Sequence, residues 1–348
     1  MNWNSEDGSY YNDFSIIQIK KKFKEIGLNE NEFNIEGNAT LGGVDIVLKG
    51  KKNYKDKNKF ISKYDVSGKI DENVIEKLFN LKVTPYIKGP VEFNASYLIF
   101  QGNKEKIKMS NKLKETELNI PALGMTKYKG TVATADIDFN FSNKKLKEIK
   151  IINYKQGNNE INGSVKLSKE FKPYKSLELN LMKDDKKTSI KVLRNKDLNN
   201  LDLKGDYFDF SKILKETFFE EKKEDSFLIQ LQPLSIDLKA KEIVVAEEKS
   251  IYDVDAILKY ENKIFKDVEL NAKLNNEKKF NLSIKPKENS RELIITSDDA
   301  GLFLKTFNIN KNDGVRQGLS SKLAVHVMAH HQKYGCTSWL TIRNRSPR

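Results

Sequence analysis

The stretch ATADIDFNF, residues 133–141, alternates apolar and polar residues without a break. Successive side chains of a β-strand point to opposite faces, so strict alternation over this length predicts a half-buried strand. The predicted apolar face carries Ala133, Ala135, Ile137, Phe139 and Phe141. This stretch decides the fold class, because its pattern recurs along most of the chain.

The recurrences are closely spaced and separated by short polar clusters at residues 156–159, 261–262 and 275–277. Their apolar positions are Val91, Phe93, Ala95, Tyr97 and Ile99; Ile161, Gly163, Val165 and Leu167; Leu177, Leu179 and Leu181; Leu234, Ile236, Leu238 and Ala240; Tyr252, Val254, Ala256 and Leu258; Val268, Leu270, Ala272 and Leu274; and Phe280, Leu282 and Ile284. Neighbouring strands with short turns predict antiparallel meanders. A sheet with one apolar face must fold over itself or cover something. We therefore predict a mostly β protein with a long antiparallel, strongly curved sheet, or β-groove.

Three short helical stretches interrupt the predicted strands. Their predicted first residues are, in chain order, Asp71 and Glu72; Asp209 or Ser211; and Thr296 or Ser297. In the third, Asp298 and Asp299 fall in the predicted first turn, where carboxylates suit the helix dipole. The fold class thus includes a few short helices.

The net charge of +13 raises the question of a nucleic-acid partner. Residues 1–312 hold 54 Lys but only two Arg, Arg194 and Arg291, and the lysines are scattered among acidic and amide residues. Nucleic-acid interfaces favour Arg forks and clustered basic faces. We therefore expect no nucleic-acid partner, while an anionic membrane surface stays open as a partner for lysines.

The sequence contains no apolar run of about 18 residues, the length that predicts a membrane-spanning helix. Its first residues, MNWNSEDGSYYNDF, are acidic and polar, unlike a signal peptide. The chain is thus expected to lack its own anchor or signal, either as a cytoplasmic protein or as an internal fragment of a longer one.

The composition changes abruptly after residue 312. All three histidines, the only cysteine and four of the six arginines lie in residues 313–348, which carry six basic groups and one acid. Translation in a shifted frame or a fusion scar produces such a change. We therefore predict an elongated β region over residues 1–312, followed by a disordered or frameshifted tail over 313–348 that can be deleted without loss of stability.

One group of residues resembles a metal site without being predicted as one. His326, His330, His331 and Cys336 could be drawn as a zinc site, but the segment HVMAHH lacks the Glu of a zinc hydrolase and has no ligand pair upstream. Residues 1–312 contain neither His nor Cys, which removes His bases and Cys nucleophiles there. No metal, cofactor or catalytic residue is predicted, and we expect the chain not to be an enzyme.

Residues 293–307, LIITSDDAGLFLKTF, resemble the C-terminal signature of AsmA-like envelope proteins of the YhdP and TamB type. The resemblance rests on a strand that runs into Ser297, Asp298, Asp299, Ala300 and Gly301, followed by a short Leu-rich helix. Upstream, GPVEFNASYLIFQGN, LNIPALGMTKYKGTVATADIDF and LKGDYFDFSKIL are similar to the uncharacterised region that precedes this signature in α-proteobacterial members. The resemblance spans roughly residues 60–312, and the PALG stretch at 121–124 is its most distinctive part.

The resemblance implies a curved β-groove with an apolar lining, held in the periplasm by an N-terminal inner-membrane helix that this chain lacks. Family members are linked to phospholipid transport between the inner and outer membranes and to envelope integrity. The partner expected is therefore a phospholipid or other acyl lipid. The candidate lining residues are Phe93, Tyr97, Ile137, Phe139, Leu238 and Leu270, while Ser297, Asp298, Asp299 and Gly301 are expected to form a structural helix cap.

Two other functions stay open at this point. The chain could be a structural or assembly scaffold whose apolar face is covered internally or by a partner protein. It could also be a glycan-binding or hydrolytic β protein, although the sequence does not identify convergent carboxylates or exposed aromatic residues for that purpose.

Overall fold

Two groups of strands make up the structure of this chain, a computed structural model. Unit 1 is Met1–Asp185 and unit 2 is Lys186–Arg348. The structure describes residues 2–4, 9–11, 22–28, 32–41, 43–54, 60–79, 82–120, 125–168, 174–211, 233–262, 264–275, 277–287, 290–308, 323–331 and 336–344.

Unit 1 contains a main sheet of ten strands. They are β3 (Lys22–Leu28), β4 (Glu32–Leu41), β5 (Val44–Asn53), β6 (Ser62–Ile70), β8 (Val91–Phe100), β9 (Lys104–Lys112), β12 (Thr134–Ser142), β13 (Lys145–Gln156), β14 (Asn159–Lys166) and β15 (Ser176–Lys183). Each strand pairs antiparallel with the next in this order. A separate pair joins β1 (Asn2–Asn4) to β2 (Ser9–Tyr11).

Tight turns with positive φ connect several of these strands. The turn between β8 and β9 places Gly102 and Asn103 at φ 72° and 55°, and the turn between β12 and β13 places Asn143 and Lys144 at 51° and 60°. Two successive residues with positive φ match the twist of antiparallel strands, and Gly and Asn adopt this conformation most readily. In the predicted polar clusters, Gly157, Asn262 and Asn275 also have positive φ, at 58°, 53° and 47°, and each cluster lies between two paired strands.

A small cap lies at one end of the unit 1 sheet. It consists of helix α1 (Glu72–Phe79), which follows β6 directly, and a three-stranded sheet of β7 (Ile87–Lys88), β10 (Glu117–Ile120) and β11 (Met125–Lys127). Asp71 Oδ1 accepts from the Val74 amide at 3.0 Å and so caps the helix.

Lys127 is the largest fully buried side chain of the cap, with 1% of its surface exposed. Its ammonium donates to the carbonyl oxygens of Thr116 (2.5 Å), Tyr128 (3.2 Å) and Lys114 (3.5 Å). Burial lowers the pKa of this ammonium, and nearby Glu115 and Glu117 oppose the shift. The Lys114 and Tyr128 carbonyls also accept from the amides of Gly130 (2.8 Å) and Thr131 (3.2 Å), so the ammonium adds a second hydrogen bond to each of these two carbonyls.

Unit 2 contains a sheet of nine strands and helix α2 (Ala300–Thr306). The strands are β16 (Lys186–Leu193), β17 (Asn199–Asp209), β18 (Leu234–Ala246), β19 (Lys249–Glu261), β20 (Ile264–Leu274), β21 (Lys278–Lys287), β22 (Ser290–Ser297), β23 (Leu323–His331) and β24 (Cys336–Asn344). Neighbours in this order pair antiparallel, except that β17 and β18 pair parallel.

The predicted fold class is confirmed: the chain is mostly β, its sheets are largely antiparallel, and two short helices lie within the described residues. The first predicted helix is α1. The second, after Asp209, falls outside the described residues beyond Ser211, whose amide and hydroxyl both bond Asp209 Oδ1.

The third predicted helix begins later than expected. Its N-cap is Asp299, whose Oδ1 accepts from the Leu302 amide at 2.9 Å, and not Thr296 or Ser297. Ser297 is still the last residue of β22, and Asp298 lies between strand and helix. Thr, Ser and Asp are all favourable cap residues, and the end of the β-ladder selects among them.

The described part of the tail differs from the sequence expectation. Strand β23 pairs with β22 over the eight positions from Ser290↔His330 to Ser297↔Leu323, and β24 pairs with β23. The segment LAVHVMAHH does alternate in part. The disordered or frameshifted tail was nevertheless predicted from the change in composition after residue 312. The boundary at residue 312 and the frameshift interpretation stay predictions.

Deletion of residues 316–348 is therefore expected to destabilise unit 2. The deletion removes the backbone partner of β22 along its whole length, and it leaves an unpaired edge that favours association. We expect the melting temperature to fall by several degrees and aggregation to increase, as followed by circular dichroism and light scattering. An unchanged melting temperature would instead support the view of residues 313–348 as dispensable.

Gly163 in β14 provides a test of the close strand packing in unit 1. A Cβ at this position would lie 2.4 Å from the carbonyl oxygen of Glu178 and 2.6 Å from Leu179 Cδ2. We expect Gly163→Ala to lower the free energy of unfolding by about 1–3 kcal/mol, because the backbone of β15 has to move. Gly27→Ala in β3 is the matched control, since no atom lies within 4 Å of its Cβ position. Equal urea midpoints for the two variants would contradict the prediction.

Candidate functional site

Three rows of mostly apolar residues cross one face of the unit 1 sheet from strand to strand. The end row is Ala39, Ile46, Gly68, Phe93, Asn111, Ala135, Tyr154, Ile161 and Leu181. The middle row is Gly37, Leu48, Val66, Ala95, Met109, Ile137, Ile151, Gly163 and Leu179. The open row is Ile35, Gly50, Tyr64, Tyr97, Ile107, Phe139, Ile149, Val165 and Leu177.

Burial decreases from the end row to the open row. In the end row Ile46, Phe93 and Tyr154 are buried, with 5–6% of their surface exposed. In the open row every position except Gly50 is only half-buried. Large apolar side chains that stay half-buried in register across neighbouring strands form a continuous accessible surface, unlike scattered surface residues. The middle and open rows are therefore the candidate site.

Glycine shapes the open row. A Cβ at Gly50 would lie 2.7 Å from Ile35 Cγ1 and 3.1 Å from Tyr64 Cδ1, so both neighbouring side chains lean over the glycine. Gly68 in the end row permits the same close approach, since a Cβ there would lie 3.1 Å from Ile46 Cγ2 and 3.3 Å from Phe93 Cε1. A strand glycine permits this close approach of side chains to the backbone.

The four candidate lining residues of unit 1 lie on this face but not at one depth. Phe93 is part of the buried end row, so its side chain belongs to the core. Ile137 lies in the middle row, and Tyr97 and Phe139 lie in the open row on either side of Ile107. The structure thus brings Tyr97, Ile137 and Phe139 together on the accessible part of the face.

Two polar residues also occupy this face. Asn111 is buried in the end row, where its Nδ2 donates to the Ala135 carbonyl at 2.9 Å. Glu105 lies two residues before Ile107 on β9, and its Oε2 accepts from the Tyr97 hydroxyl at 2.5 Å. The Tyr97 ring stacks on Tyr64 with 6.2 Å between centroids. Burial and this hydrogen bond to Glu105 both raise the pKa of the Tyr97 hydroxyl.

Glu105, Tyr64 and Ile107 are not among the site residues predicted from the sequence. The segment KEKIKMSNK of β9 has only two apolar residues on its inward face, so its alternation is weak. The sequence does contain a local signal for a strand at these positions, because Tyr64 and Ile107 each lie between two charged residues.

The corresponding face of unit 2 is more closed. A row crosses it through Leu203, Leu238, Ala256, Leu270, Leu282 and Ile295. Leu238 and Ala256 are 5% and 1% exposed, whereas Leu270 is half-buried. Helix α2 covers one end of the face, where the Phe303 ring packs against Phe280 with 5.3 Å between centroids.

Residues predicted to cap the third helix form hydrogen bonds within unit 2. Besides the cap made by Asp299, the Ser297 hydroxyl donates to the Asp299 carbonyl at 2.9 Å, and Asp298 Oδ2 accepts from the Lys279 amide at 3.1 Å. Gly301 is exposed in the first turn of the helix. These bonds join β21, β22 and α2.

The opposite face of the unit 1 sheet is polar and holds a cleft of about 480 Å³. Asp65, Asp136 and Asp138 are its carboxylates. Asp65 pairs with Lys63 at 2.8 Å and accepts from the Ser96 hydroxyl, and Asp138 pairs with Lys106. Two of the three carboxylates are thus engaged in ion pairs. Within the described residues, no group of three or more His, Cys, Asp or Glu side chains is placed to hold a metal ion.

The Tyr97–Glu105 bond predicts a pH dependence. Because the pKa of Tyr97 is higher in the folded chain than the usual 10, its contribution to stability is present below about pH 10 and is lost as the pH rises further. We expect Tyr97→Phe to lower the free energy of unfolding by about 1 kcal/mol at neutral pH, where the hydrogen bond is lost. The difference from the unsubstituted chain should shrink above about pH 10.

Urea titrations at a series of pH values measure this effect. Tyr86→Phe, at a half-exposed tyrosine of the same unit, is the control and should follow the unsubstituted chain. A constant difference between Tyr97→Phe and the unsubstituted chain at all pH values would show that the hydroxyl does not titrate as inferred.

No helix among the described residues is both long and apolar enough to span a membrane. Comparisons of the chain with models of protein families, with curated proteins and with solved structures found no match. What the apolar face does must therefore be inferred from its own residues.

Proposed function

We propose that unit 1 binds the acyl chains of a phospholipid, or of another acyl lipid, along its middle and open rows. The observation that carries the proposal is the decrease in burial from the end row to the open row, which leaves a continuous apolar band accessible. In this proposal the chain is part of an AsmA-like envelope protein, acts in the periplasm, and contributes to phospholipid transport between the inner and outer membranes.

The band has a suitable length. The open row crosses nine strands, and neighbouring strands lie about 4.8 Å apart, so the row extends for about 38 Å along the sheet. An acyl chain in one leaflet reaches about 15 Å, half of the hydrocarbon thickness of a bilayer. The band therefore has room for an acyl chain at more than one position, as a transport path requires.

The energetics also suit a transient lipid ligand. Each CH₂ group removed from water stabilises the complex by about 0.8 kcal/mol. Because this attraction is non-directional, an acyl chain can shift along the band without breaking a specific bond. The aliphatic residues Ile107, Ile137 and Val165 present such a surface, and no reacting group is needed for this role.

A structural scaffold is the second candidate, and the closed face of unit 2 favours it. Leu238, Ala256 and Phe280 are buried there, and α2 covers one end of the sheet. A module with that packing needs no ligand. The two candidates can therefore be separated by testing the faces of the two units individually.

Site-specific photocrosslinking is the test. A photoreactive residue at Phe139 or Ile137, expressed in cells and isolated from membranes, should give lipid adducts that mass spectrometry detects. We expect few or no adducts at Leu238, whose side chain is buried in unit 2. Ser110, exposed on the opposite face of the unit 1 sheet, is the matched control on a neighbouring strand.

Native mass spectrometry of the purified chain provides an independent measurement, with bound phospholipid as the expected result. Absence of adducts at both Phe139 and Ile137, together with a lipid-free chain, would overturn the acyl-binding proposal and leave the scaffold.

A further inference from the structure

A second cleft, of about 590 Å³, lies at the end of the unit 1 sheet where two hairpins turn. One hairpin turn is at residues 101–103 and the other at residues 143–144, and the Asn143 amide donates to the Asn103 carbonyl at 2.9 Å. This bond ties the two turns together. The cleft is therefore built by neighbouring hairpins whose turn conformations are fixed by positive φ values.

The charge of this cleft is positive. Lys104, Lys106 and Lys147 line it, and no carboxylate does. Lys106 forms an ion pair with Asp138, which neutralises part of its charge. Among the ion pairs of the described residues, none involves Lys104 or Lys147. Two lysines thus bring positive charge to the lining of the cleft without an ion-pair partner among the residues that the structure describes.

Neutral hydrogen-bonding groups complete the lining. Gln101 and Ser142 bring an amide and a hydroxyl to the cleft, and Phe100 and Phe141 supply apolar contacts. The Asn140 amide also lines the cleft and donates to Glu148 at 2.9 Å, so it is partly occupied. Lysine is a good point-charge partner for phosphate, and amide and hydroxyl donors fix the remaining oxygens.

We propose that this cleft binds a phosphate group, either as inorganic phosphate or as the phosphate of a lipid headgroup. A volume of about 590 Å³ accommodates a phosphate together with an attached organic group. The side chains of Lys104, Lys106 and Ser142 belong to the polar face, because Glu105, Ile107 and Phe141 alternate with them. The site is thus separate from the apolar rows, and it stands even if those rows bind no lipid.

Binding to three probes tests the site and its source of phosphate. The full chain is titrated with inorganic phosphate, with glycerol 3-phosphate, and with vesicles of phosphatidylcholine containing one quarter phosphatidylglycerol, at constant ionic strength. The test variant is Lys104→Gln/Lys147→Gln. The matched control is Lys69→Gln/Lys112→Gln, which removes the same charge from exposed positions at the other end of β6 and β9.

We expect the test variant to bind inorganic phosphate about tenfold more weakly than the control variant, because each charge-assisted bond contributes strongly to affinity. If the test variant also binds the vesicles more weakly than the control does, the bound phosphate belongs to a lipid headgroup. If only inorganic phosphate and glycerol 3-phosphate bind more weakly, the ligand is free phosphate or a soluble phosphate ester.

Equal phosphate affinity for the test and control variants would overturn the proposal, as would an unsubstituted chain that binds none of the three probes. Far-UV circular dichroism of both variants separates loss of binding from loss of fold.

Discussion

The register between neighbouring strands is the constraint on which the rest of this structure depends. A shift of one residue in any strand of unit 1 would move its apolar side chains to the polar face, since the side-chain period of a strand is two. The ladder keeps Tyr64, Tyr97, Ile107 and Phe139 in one line. Where the register of β13 shifts at β-bulges, apolar positions still face each other on both sides of each bulge. The open row, the polar face and the basic cleft all follow from that alignment.

Within this register, the elements that cover the ends of the apolar face decide how deep each row lies. The cap at the α1 end buries Ile70, Val91 and Leu113, and the end row next to it is closed. Further along the strands no described element covers the apolar face to the same extent, so the open row stays accessible. In unit 2, α2 and the aromatic contact between Phe280 and Phe303 close the equivalent end. The two units thus use similar strands with different covering.

Much of the fold could be predicted from the sequence because alternation is a local property. The strands containing Ala135–Phe141 and Val91–Ile99 follow from their own residues, and so does α1 after Asp71. The depth of burial could not be predicted in this way. Phe93 and Tyr97 alternate identically along β8, yet only Phe93 is buried, because Phe93 lies near the end of β8 where the cap covers the face.

Other differences have equally specific reasons. Glu105 is a charged residue on the apolar face of the sheet, in a segment whose alternation is too weak to predict a strand, and its contact with Tyr97 follows only from the pairing of β8 with β9. The cap of α2 lies at Asp299 because β22 continues to Ser297, a length that its pairing with β21 determines.

The parallel pairing of β17 with β18 has a consequence for how unit 2 folds. The hairpins from β18 to β22 close short loops, whereas the first parallel contact joins Asn199 to Leu234, and the pairing of β22 with β23 joins Ser297 to Leu323. Closing a longer loop costs more chain entropy, and that cost precedes the contacts that offset it. The strands from β18 to β22 can assemble as hairpins in sequence, whereas β16 and β17 on one side and β23 on the other join them through longer connections. We therefore expect the folding rate of unit 2 to depend on these two pairings more than on the number of strands.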